Sequence, residues 1–127
     1  MAHYGSSAAY VQASVETASP ARLLVMLYDR LVLDCRRAIV AQQAADHQAA
    51  HEHLLHAQDI VAELQGSLRP ELWDGAEALS SLYSHLLVQL VQANVRRDMS
   101  LTSHCLDLVV GLADAWRQAA MDQAKSA

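Results

Sequence analysis

Residues 15–40 read VETASPARLLVMLYDRLVLDCRRAIV, and this stretch decides the fold. Ser19-Pro20 is a helix start: serine accepts from the free amides of a first turn, and proline at the first helical position forfeits no hydrogen bond. Behind it, Leu24, Leu27, Leu31, Cys35 and Ala38 make one apolar stripe at helical spacing. Val25, Val32 and Ile39, seven residues apart, make a second. A helix apolar on two faces needs neighbours on two sides.

Working outward, the pattern predicts four helices. The first runs from Pro20 to about Gln43, and residues 44–46 connect it to the next, with Asp46 as cap. His47, Ala50, Leu54, Ala57, Val61, Leu64 and Leu68 then follow alternating three- and four-residue steps opposite a wet face of Glu52, His53, Gln58 and Asp59. Gly66 and Arg69-Pro70 end this helix. After the turn ELWDG at 71–75, whose Trp73 is expected to cover one end of the fold, a third helix carries Leu79, Leu82, Tyr83, Leu86, Leu87, Leu90 and Val91. Asp98 or Ser100 caps a fourth, striped by Leu101, Cys105, Leu108, Leu112 and Trp116.

Helices of this length joined by short connections predict an all-α, antiparallel up-down-up-down four-helix bundle over residues 19–124. Residues 1–18 form a sparse amphipathic arm bearing Tyr10, Val11 and Val15, too poor in apolar area to stand alone and expected to be mobile. The first, third and fourth helices hold more apolar positions than one seam uses. That surplus predicts a partner surface filled by the arm, a client chain or a second subunit.

Composition narrows the function. The 127 residues are 53% hydrophobic with only two Pro and four Gly, which suits one helical domain and no disordered chain. A formal charge of −5 argues against nucleic acid, which demands a basic surface. The longest wholly apolar run, 23–28, is far too short for a bilayer, so the chain is expected to be cytoplasmic and not membrane-embedded. Cys35 and Cys105 occupy apolar slots and are expected to be buried thiols.

No catalytic constellation emerges. His47, His51, His53 and His56 invite a metal, yet HEHLL at 51–55 has leucine where a zincin needs its second histidine, and the rings fan around the helix. They are expected to be solvated. No Asp or Glu is followed three residues on by His, as di-iron bundles require. Neither a phosphate loop nor a nucleophile elbow is present. The expectation is no enzyme, no metal and no cofactor.

With those residues in view, the chain resembles the FliS family of flagellar export chaperones. Ala9-Tyr10 begins the match; VETASPARLLVMLYD at 15–29 carries it most specifically. Ile60 to Leu64, Leu79, Leu82-Tyr83, Leu90, Ala93-Asn94, Asp98 and Trp116 extend it over nearly the whole chain. Asp74 keeps the acidic place before the third helix, whereas Ala78 stands where the family commonly has Asn. The resemblance implies a cytosolic chaperone that captures the disordered C-terminal segment of flagellin, prevents premature polymerisation and delivers it to the membrane protein of the flagellar type III export gate. Candidate residues for the client groove and arm are Tyr10, Val11, Val15, Leu24, Leu27, Tyr28, Leu82, Tyr83, Leu86, Leu90, Asn94, Leu112 and Trp116. The competing reading of the apolar surplus is a weak homodimer seam in a bundle adaptor with no client.

Overall fold

The computed structural model describes residues 20–69, 71 and 74–126. Within them lie four helices: α1 (Pro20–Gln43), α2 (His47–Gly66), α3 (Ala76–Val95) and α4 (Met99–Ser126). α1 packs on α2 and α4, α2 on α3, and α3 on α4, which closes a ring of antiparallel neighbours. The expected all-α four-helix bundle is the fold. The arm at 1–18 and Trp73 lie outside the described residues.

Two tight turns at one end of the bundle share a design. At 44–46, Ala45 takes a left-handed φ of 54°. Its amide donates to Gln42 O (3.1 Å), and that of Asp46 to Ala41 O (2.8 Å). At 96–98, Arg97 repeats the φ of 54°. Its amide reaches Asn94 O (3.3 Å), while that of Asp98 reaches Ala93 O (3.0 Å). Both are Schellman closures, which satisfy the last carbonyls of the outgoing helix. In each, the next residue is an aspartate that caps the incoming helix. Asp46 Oδ1 accepts from the Ala49 amide at 3.2 Å. Asp98 Oδ1 accepts from the Ser100 hydroxyl (2.6 Å) and the Ser100 amide (2.9 Å). Of the two sequence candidates for this cap, Asp98 is the one used.

The core is one continuous column. Tyr28, Leu31, Cys35 and Ala38 of α1 meet Leu54, Ala57, Val61 and Leu64 of α2. Leu79, Tyr83, Leu86 and Leu90 of α3 join Cys105, Val109 and Ala113 of α4 in the same column. Fully burying a leucine removes enough apolar surface from water to stabilise the fold by about 1.5–3 kcal/mol. The α1 stripe passes through Tyr28, with Leu24 and Leu27 packed against its edge. The second stripe, Val25, Val32 and Ile39, is half-buried. α1 thus has the two neighbours that its pattern required.

Across the column, the hydroxyls of Tyr28 and Tyr83 share a buried hydrogen bond. Tyr28 also stacks on Trp116, with ring centroids 6.5 Å apart at 25°, and the Trp116 side chain hydrogen-bonds to it. Burial pushes both phenols above their ordinary range, so each stays neutral and able to donate.

Candidate functional site

The candidate residues fall into distinct environments. Tyr28, Tyr83, Leu86 and Leu90 are enclosed in the core. An enclosed side chain meets a partner only if the bundle opens, so their role in this structure is packing rather than lining a groove. Leu24, Leu27, Leu82, Leu112 and Trp116 are partly exposed along the edge of the core. Tyr10, Val11 and Val15 lie outside the described residues.

The apolar surplus is on the surface. On α3, Val88 (57% exposed), Val91 (40%) and Val95 (74%) follow steps of three and four and so fall on one face. None of the three is among the groove candidates above, because sequence spacing does not tell an inward stripe from an outward one. On α1, Leu33 and Val40, seven residues apart, are exposed together. A shallow groove of about 180 Å³ between α1 and α4 is lined by Val32, Val110 and Ala113 and edged by charge. There Arg117 pairs with Asp29 of α1 and with Asp114 at 3.3 Å.

Asn94 lies in a pocket of about 390 Å³ beside the two tight turns, with Gln42, His51, Leu54, Val95 and Arg97. Its Nδ2 donates to His51 Nδ1 at 2.9 Å. Neither amide atom of Gln42 has a hydrogen-bond partner among the described residues, although both are buried.

Not every histidine of the 47–56 cluster is merely solvated, which corrects the expectation. His51 is tied to Asn94, and His56 Nδ1 bonds Asp34, a carboxylate with no exposed surface. Arg30, one turn earlier on α1, stands 3.2 Å from the other oxygen of Asp34. Asp34 was legible in principle: it falls seven residues after Leu27, on the inward side of α1, where a charge demands partners. Gln65 makes a further polar tie from α2 to α3, donating to Ser80 O (2.9 Å) and Ser84 Oγ (2.8 Å).

Among the described residues, no three His, Cys, Asp or Glu side chains converge as a metal-binding group. Cys35 and Cys105 are free and fully buried. Burial pushes their thiols up to about 12 and about 11 respectively, far from the thiolate that a nucleophile needs.

What this arrangement offers is surface for another chain, and its relatives bear on which. Residues 2–124 match the model of the family described as flagellar protein FliS. The chain belongs to the FliS family. It is 32% identical over 117 residues to the flagellar secretion chaperone FliS of Bacillus subtilis, covering 92% of this chain and 87% of that one. With the flagellar secretion chaperone FliS of Salmonella typhimurium it shares 34% over 116 residues, 87% of this chain and 86% of that one. A crystal structure of a bacterial flagellar chaperone shares the fold, with a TM-score of 0.75 at 22% identity over 93% of this chain and 97% of the other. FliS is a chaperone family rather than an enzyme family, and its place is flagellum assembly and export. No described helix is long and apolar enough to cross a membrane.

Proposed function

We propose that this FliS-family protein is a cytosolic export chaperone that binds the disordered C-terminal segment of flagellin, keeps it from polymerising early and hands it to the flagellar type III export gate. The observation that carries the reading is the exposed Val88, Val91 and Val95 face on a bundle whose core is already complete without it. A disordered client that folds on binding must offset roughly 2–5 kcal/mol of ordering cost, which takes extended apolar surface rather than one small pocket. Amphipathic client helices laid along the bundle supply that area, reading the face by their own three- and four-residue spacing. Elsewhere on the bundle, Leu24, Leu27, Leu82, Leu112 and Trp116 offer further partly exposed apolar surface. Tyr10, Val11 and Val15 of the arm cover part of it until the client arrives.

Titration of the full chain with a peptide of the host flagellin C-terminus tests the reading. One-to-one binding at micromolar affinity or tighter, with a gain of helix, is expected. Val88→Asp and Val95→Asp are expected to leave the fold intact and weaken that binding, because each places a charge where apolar surface is needed. A chain that self-associates through this face and ignores the peptide would favour the homodimeric adaptor instead. Amide exchange across residues 4–18, faster with client than without, is the expected mark of the displaced arm.

A further inference from the structure

On the outer side of the α3–α4 seam, His85 and His104 face each other with their Nε2 atoms 3.3 Å apart. Their rings meet edge to face at 84°, with centroids separated by 5.6 Å. Both residues are exposed. The two nitrogens therefore share one proton in an N–H···N bond, at a spacing that has a second meaning. Two imidazole nitrogens bound to one tetrahedral ion at about 2.0–2.1 Å stand about 3.3–3.4 Å from each other. The two side chains already stand at that separation.

We propose that His85 and His104 form a two-point site for a borderline transition-metal cation of the Zn2+ class, clamping α3 to α4. To aim both lone pairs at a common point, the rings tilt so that their centroids close from 5.6 Å to about 5.2 Å, a small rotation for exposed side chains. The ring that donates from Nε2 takes its proton on Nδ1 instead. Both rings remain neutral, and no proton is gained or lost. Imidazole is the preferred nitrogen ligand for such ions, whereas the hard Mg2+ favours oxygen. No third His, Cys, Asp or Glu joins the pair among the described residues, so water completes the coordination sphere. The α3–α4 seam is the least extensively packed of the four in the ring, and a cross-link there has the most to add.

The test uses the full chain without a histidine tag, stripped with chelator and titrated with ZnSO4 by calorimetry, with thermal unfolding followed in parallel. One site per chain and a rise in Tm are expected, with no response to MgCl2 over the same range. His85→Gln and His104→Gln should each weaken binding at least about tenfold, since either removes half the ligand set. His53→Gln, outside the pair, should leave it unchanged. In the unaltered protein, nitrogen chemical shifts of the imidazoles should show Zn2+ moving the Nε2 signals of His85 and His104 together. Binding that survives both substitutions, binding that follows the histidines at 47–56, an equal response to Mg2+, or no binding up to millimolar Zn2+ would each overturn the proposal.

Discussion

Exchanging the residues at two positions, Ala45→Gly together with Gly111→Ala, leaves the composition unchanged and should make the protein more stable. Ala45 holds a φ of 54° at the α1–α2 turn, a left-handed conformation that costs a residue with a Cβ roughly 1–2 kcal/mol. Glycine removes that cost but brings back about 0.4–1 kcal/mol through the greater freedom of its unfolded chain, so the net gain is about 0.5 kcal/mol. Gly111 sits inside the long helix α4, and a Cβ built there meets nothing within 4 Å. Alanine is favoured over glycine inside a helix by about 0.8–1.0 kcal/mol. The positions lie in different elements and should act additively, giving about 1.5 kcal/mol together. Urea unfolding followed by circular dichroism should then show the midpoint raised by about 0.7 M at unchanged slope, for a slope near 2 kcal/mol/M. Arg97→Gly, at the matching turn, should repeat the effect of Ala45→Gly. A loss of stability in either single variant would refute the reasoning, the first by showing the left-handed position to be unstrained, the second by showing that the outer face of α4 needs its glycine.

Three further outcomes are expected. Tyr28→Phe should cost about 1–3 kcal/mol and exceed Tyr83→Phe in chemical denaturation, because it strands the Tyr83 hydroxyl and the Trp116 side chain at once, whereas Tyr83 ends the relay. Cys35 and Cys105, buried and with thiols pushed up to about 12 and about 11, should react with a thiol reagent only as fast as the chain opens; prompt labelling of either in native buffer would contradict the burial. Asp98 titrates below its ordinary 3.8 because the Ser100 hydroxyl, then the Leu101 and Ser100 amides, donate to its carboxylate. Its folded value is depressed, so its contribution is complete above about pH 4 and fades as pH falls through the lower folded value. Asp98→Asn should accordingly flatten the acid limb of a stability-against-pH curve, while an unchanged limb would show that the cap does not contribute to it.

Much of the fold was legible in the sequence. Pro20, Asp46 and Gly66 mark helix ends by local chemistry, and the three- and four-residue steps name most of the core column. What remained hidden depends on partners distant in the chain. Nothing near His56 points to Asp34, twenty-two residues earlier, nor does anything near His85 point to His104. Of the neighbours Leu27 and Tyr28 on α1, Tyr28 is the enclosed one, a choice between adjacent positions that the apolar stripe leaves open. The candidate surface was the least readable part. Leu86, Leu90, Val88 and Val95 are alike in chemistry, and only the placement of neighbouring helices assigns the first two to the interior and the others to solvent.

Both Schellman turns cap the same end of the bundle, so the two ends differ in how much they can be altered. Residues 44–46 and 96–98 each hold one residue for helix closure, one for the left-handed corner and one for the next cap, with none to spare. An inserted residue there would shift a helix by about 100° relative to its cap. The opposite end carries the longer 67–75 connection and the start of α1. Reporter tags, cross-linkers and loop grafts belong at that end, and length variation among related chains should be concentrated there.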